Sequence, residues 1–169
     1  VDDNGDTDDG LPNNGTTTLR EALAFVATQP ATSFIEFDPT EFGVVSTINI
    51  GSQLPTIVNP LTITGPGQEL LTLDAGNGTA TTFGTGDAHR IFDINDNNGA
   101  TTIDVTLSGL TLTGGDVARG TDGFAGASAG PGANGEEGTE GSDAEGGGAI
   151  RSFENLTLTD MTVTGNAVG

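Results

Sequence analysis

The chain has 169 residues and a mass of 16.9 kDa, one domain's worth of sequence, and its 28 glycines and 27 threonines make up almost a third of it. It has no Cys, Trp, Tyr or Lys, and four arginines (Arg20, Arg90, Arg119, Arg151) stand against 24 acids, a formal charge of −20. That charge excludes binders of nucleic-acid backbones and argues against docking on anionic membranes, the missing Cys excludes disulfides, and so much Gly and Thr excludes helical bundles. A β-rich, acidic, extracellular protein remains, with no apolar run near the ~20 residues of a membrane span.

Acidic excess without lysine fits a saline setting or bound divalent cations, and it fits plain solubility equally. Residues 1–15 form an acidic, turn-rich leading segment. Val1 is followed at once by acids, with no basic or apolar leader, so the chain reads as processed or as a cut piece. Asp2, Asn4, Asp6 and Asp8 alternate here, and alternating oxygens in a turn suit Ca²⁺, which takes six to eight of them. Against calcium, the loop has Thr7 where an EF-hand loop needs glycine; the other reading is a solvated acidic loop.

Residues 16–30 hold the one helix the sequence predicts. Thr18 and Glu21 form a capping box, and Leu19, Ala22, Leu23 and Val26 follow as one apolar stripe that stops by Pro30. The expected helix, 18–27, is the length of a lid over something apolar.

Residues 31–169 read as short strands. Phe34-Ile35-Glu36-Phe37 ends at Asp38-Pro39, and pairs such as Ile48/Ile50, Leu61/Ile63, Leu71/Leu73 and Ile91/Ile94 follow, mostly two residues apart. An internal repeat decides between architectures. VTLSGLTLTGG at 105–115 aligns with LTLTDMTVTGN at 156–166, and every apolar position stays apolar. Within each copy a three-residue step separates two inward pairs (Val105/Leu107 then Leu110/Leu112; Leu156/Leu158 then Met161/Val163), so the chain turns a corner without reversing. With 116–146 removed the copies stand about twenty residues apart, one turn of a solenoid. The predicted fold is all-β: a right-handed parallel β-helix, a single-stranded β-solenoid, with an N-terminal capping α-helix.

Segment 116–146 is a Gly-rich acidic insertion with glycine near every third position. Three readings stay open: a solvated loop, a packed polyproline-II-like excursion with glycines inward, or a flap that binds a cation or partner.

T-T-L-R-E-A-L at 17–23 resembles the S-L-R-E-A-I segment that opens many secreted right-handed parallel β-helix proteins of bacteria. F-I-E-F-D-P, L-T-I-T-G, R-I-F-D-I and G-L-T-L-T-G-G are similar to their succeeding coils. G-G-A-I at 147–150 and V-T-G-N at 163–166 are similar to the paired repeats of the polymorphic outer-membrane protein family, with Val163 in place of that family's Phe. The resemblance implies an exported stalk or adhesin passenger at the cell surface.

The same fold hosts polysaccharide lyases and hydrolases, an analogy of architecture alone. The lyases need Lys or Arg bases beside Ca²⁺, and this chain lacks Lys; the hydrolases' Gly-His-Gly and Arg-x-Lys motifs are absent. Asp87, His89 and Arg90 are the best catalytic cluster available, with an exposed loop histidine as the plainer reading. Asp93 to Gly99 is a second, weaker calcium pattern or a coil corner. T-x-T units at 62–64, 111–113, 157–159 and 162–164 suggest stacked threonine ranks that order water, but their intervals are irregular.

The reading is therefore a non-enzymatic cell-surface or extracellular stalk, with a β-helix polysaccharide lyase or hydrolase fragment and a calcium-dependent binding module as alternatives. The expected ligand is an extracellular carbohydrate or protein, held by 116–146 or the acidic leading segment. The chain stops after a strand at Gly169 without a cap, so further coils or end-to-end stacking into fibres are expected there.

Overall fold

Thr18 starts the first helix. Its hydroxyl accepts from the Glu21 amide at 3.2 Å, and the Glu21 carboxylate accepts from the Thr18 amide at 2.9 Å. Helix α1 (Leu19–Ala27) follows, with Leu19 and Leu23 buried and Ala22 and Val26 packed on the core. Asn59 closes its far end by donating to the carbonyls of Val26 and Ala27 at 3.3 and 2.9 Å. This is a computed structural model, and it describes residues 1–10, 15–76, 89–118, 120–128, 136–143 and 145–168.

After Pro30 the sequence reading has strands alone, and the structure adds a helix. Asp38 accepts from the Thr40 amide at 2.7 Å, Pro39 takes the first helical position, and α2 spans Pro39–Phe42. Phe42 is fully buried, edge-on to Phe37 with ring centroids 5.1 Å apart.

Strands account for the rest of the regular structure: β1 (Ser33–Glu36), β2 (Ser46–Asn49), β3 (Leu61–Thr64), β4 (Leu71–Asp74), β5 (Phe92–Ile94) and β6 (Asp104–Ser108). Then come β7 (Thr111–Thr113), β8 (Asp116–Val117), β9 (Ile150–Ser152), β10 (Asn155–Thr159), β11 (Thr162–Val163) and β12 (Ala167–Val168). They form a β-rich fold of short parallel sheets. The first sheet has the order β1-β3-β6-β10 and the second β2-β4-β7-β11, while β5 pairs with β9 and β8 with β12. Strands that pair are never consecutive in sequence, so the chain leaves each sheet and visits others before it returns. Parallel neighbours demand such a crossover.

Register is continuous. Ile35, Ile63, Leu107 and Leu158 form one inner column of the first sheet, and Ile48, Leu73, Leu112 and Val163 one of the second. Alternate residues point inward, so one apolar core, mainly aliphatic with Phe37, Phe42 and Phe92, runs along both columns. The corner between first and second sheet is tight at Gly109, which has φ +64 and sits so close to Gly65 that a Cβ on either would meet the other's carbonyl oxygen.

The repeat at 105–115 and 156–166 is two neighbouring strand pairs in register. Asn166 ties them: its side-chain amide donates to the Leu112 carbonyl at 3.0 Å, and its oxygen accepts from the Gly115 amide at 2.8 Å. Gly148 packs on the Ala167 carbonyl, so the G-G-A-I segment touches the chain just past V-T-G-N. Asp116–Val117 belongs to β8, so the insertion proper begins one strand later than 116. No helix among the described residues is long and apolar enough to cross a membrane.

Candidate functional site

The leading acids are bound singly. Asp2 accepts from the Thr17 amide at 2.5 Å, and Asp8 accepts from the Gly10 amide at 2.8 Å within its own turn. Asp6 holds Arg20 through both carboxylate oxygens, at 3.0 and 2.7 Å, and takes the Gly51 amide at 2.8 Å. Asn4 is exposed. Arg20 continues the chain of contacts to the carbonyls of Ser52 and Gln53, at 2.8 and 2.9 Å. Residues 1–10 thus form a strap, and Asp6 fastens it to the turn after β2. Among the described residues, no group of three or more His, Cys, Asp or Glu could hold a metal ion. The alternating spacing that suggested calcium places Asp2, Asp6 and Asp8 against three different segments.

Asp87 lies outside the described residues. His89 is half-buried, and its Nε2 has no partner among the described residues. Burial holds its pKa below the ordinary 6.5; a backbone hydrogen bond to Ile50 and the charge of Asp6 oppose this, and Arg20 adds to it. Arg90 points elsewhere. Its guanidinium is buried, donating to Glu145 Oε2 at 2.6 Å and to the carbonyls of Gly146 and Gly147 at 3.2 and 3.4 Å. His89 and Arg90 therefore serve two separate places rather than one catalytic centre.

Arg90 marks the root of a Gly-rich arm. Amides of Glu136, Thr139, Ser142 and Glu145 donate to the carbonyls of Ala127, Phe124, Thr121 and Ala118, at 3.1, 2.9, 3.0 and 3.3 Å. The rungs recur every third residue on two antiparallel limbs, the repeat of a polyproline II helix. Two rungs are doubled, because the Thr139 and Ser142 hydroxyls accept from the Phe124 and Thr121 amides at 3.0 and 2.9 Å. Glycine is required between the limbs: a Cβ on Gly123 or Gly126 would run into the carbonyl of Thr139 or Glu136. Phe124 is 80 % exposed, and Asp122, Glu136, Glu137, Glu140 and Asp143 are exposed as well, while Glu145 folds onto Arg90. The sequence carried the glycine period but no sign of which limb residues meet.

A last cluster surrounds β9. Arg151 grips Asp93 with two bonds, 2.9 and 2.7 Å, and lies 5.6 Å over the Phe153 ring. Glu154 accepts from the amides of Asp96 and Ile103 at 3.0 and 2.9 Å and so shapes the Asn95–Thr102 loop. The cavity beside it, about 270 Å³, is lined by Asn95, Asn98 and Phe153. The oxygens of the Asn95, Asp96 and Asn98 side chains accept from amides of their own loop, which makes this a self-tied corner.

Compared with family models, curated proteins and solved structures, the chain matches none.

Proposed function

We propose that the chain is a segment of a right-handed parallel β-helix that serves, without catalysis, as an exported cell-surface or extracellular stalk of adhesin type, similar in kind to passengers of the polymorphic outer-membrane protein family. The observation that carries this reading is the unbroken parallel register across strands that are not neighbours in sequence. Such a scaffold is stiff along the strand-stacking direction and can present an appendage at a fixed place. The appendage is the Gly-rich arm, whose two bonded limbs offer an exposed aromatic and a row of acids to an extracellular carbohydrate or protein.

Self-association belongs to the same proposal. Leu158 and Val163, in the inner columns, are 44 and 49 % exposed on β10 and β11, an edge ready to pair with another parallel coil. Sedimentation velocity over a concentration series should show growing species that Leu158→Asp removes. Incubation with pectate, alginate and sulfated glycans, with and without Ca²⁺, should release no product; turnover would replace the stalk with the lyase or hydrolase reading.

A further inference from the structure

The T-x-T units at 62–64, 111–113, 157–159 and 162–164 are irregularly spaced along the chain. Parallel pairing cancels the irregularity, because loops of different length return the strands to the same register. In the first sheet Thr62, Thr106 and Thr157 stand opposite one another, and so do Thr64, Ser108 and Thr159. Their neighbours Leu61, Ile63, Val105 and Leu107 point into the core, so these six point out. The result is a mesh about 4.8 Å by about 6.6 Å, set by strand spacing and the two-residue step.

The hydroxyls of this mesh are kept free. Among the described residues, Thr62, Thr64, Thr106, Thr157 and Thr159 have no protein partner for theirs, and Ser108 alone donates inward, to the Ile63 carbonyl at 3.2 Å. The second sheet has a comparable rank of Thr47, Thr72, Thr111 and Thr162. There Gln68 lies across it, its carbonyl accepting from Thr111 and its Oε1 from Thr162, both at 2.8 Å. On this second face two of the four hydroxyls are engaged by Gln68, whereas on the first face five of the six are left open.

We propose that the outer face of β3, β6 and β10 binds the surface of ice. The six positions hold no charge, no amide and no aromatic ring, the groups by which a sugar surface is gripped. Each of the five threonines carries a hydroxyl and a methyl, set out by the strand spacing in one direction and the two-residue step in the other, with Ser108 between Thr64 and Thr159. A hydroxyl in such a mesh takes the place of a lattice water, and the methyl beside it excludes the disordered water that would blur the match. The array ends at β1, where Phe34 and Glu36 occupy the two ranks.

The test is partition of the purified chain into a slowly growing ice front, together with inhibition of ice recrystallisation. The chain should enter the ice and hold crystals small. Thr106→Tyr and, separately, Thr157→Tyr should abolish both effects at an unchanged melting temperature, while Thr47→Tyr in β2 should retain them. Exclusion of the wild-type chain from ice would overturn the proposal. So would a Thr106→Tyr chain as active as wild type, or Thr106-dependent adsorption to cellulose or chitin powder without ice activity.

Discussion

Near the β1–β2 end of the stacked strands, Leu19 and Leu23 of α1 are buried in one cluster with Ile35 and Ile48, and the 1–10 strap bonds to Thr17, Thr18 and Arg20 at the start of that helix. The Val1 carbonyl accepts from the Asp38 amide at 2.8 Å just past β1, and Asp6 takes the Gly51 amide just past β2. At the β10–β12 end the inner columns have no such cover among the described residues. Ile35 is 4 % exposed and its column partner Leu158 is 44 %, although both sit on inward positions of a parallel strand. Alternation therefore fixes which way a side chain points, and a separate segment must supply the burial. A helix with a strap does so at one end, by means of polar contacts that reach round an apolar lid.

The widest gap between the two ends should appear in paired truncations. Leu107→Ala, in the fully buried middle of the column, should cost about 2–5 kcal/mol in urea unfolding, whereas Leu158→Ala should stay below about 1 kcal/mol. A Leu158 variant as costly as Leu107 would mean that the far edge is covered in solution. Next in size, Asp6→Ala removes a carboxylate that holds Arg20 and an amide, and should cost about 2 kcal/mol. The side chains of Asp6 and Arg20 are each only 12 % exposed, so high salt should barely change that cost. Thr18→Ala should cost about 1 kcal/mol by opening the capping box that starts the lid.

The arm extends the contrast between covered and uncovered regions. Gly126→Ala should loosen the limbs by roughly 1–3 kcal/mol locally, seen as faster amide exchange at Glu136 and Thr139, with the global midpoint unmoved. Gly146→Ala, with open space around its would-be Cβ, should leave exchange as it was.

The smallest effect concerns pH. His89 has its pKa lowered, chiefly by burial, so the unfolded chain takes up its proton first. This group's contribution is present above the ordinary 6.5, and declines as pH falls from there to the lowered folded value. Urea midpoints at about pH 7.5 and about pH 5.5 should differ less in His89→Gln than in wild type. An unchanged difference would remove His89 from the account.

The features legible in the sequence are those whose partners lie close by. Thr18 and Glu21 bond within one turn, and α1 stands where that spacing puts it. The inner pairs are legible for the same reason: Val105/Leu107 and Leu110/Leu112 alternate locally, and all four side chains are buried. Asp38-Pro39 is a local helix start as well, but its single turn is too short to show an apolar period, so it reads as a strand end. Long-range pairings left no such trace. Arg20 reaches Asp6 across fourteen positions, and Arg90 reaches Glu145 across fifty-five. Nothing in either local sequence names the other partner. Asp2, Asn4, Asp6 and Asp8 share an alternating spacing in the sequence, while in the fold Asp2 takes the Thr17 amide, Asp6 holds Arg20 and the Gly51 amide, and Asp8 takes the Gly10 amide.

A ladder with a rung at every third residue has a consequence for how such an arm can vary. Adding or removing three residues on each limb leaves every remaining glycine still facing its opposite number and every exposed acid still exposed. Any other change in length puts a side chain between the limbs. Reach is thus adjustable in discrete increments, while the Arg90 clamp at its base stays untouched.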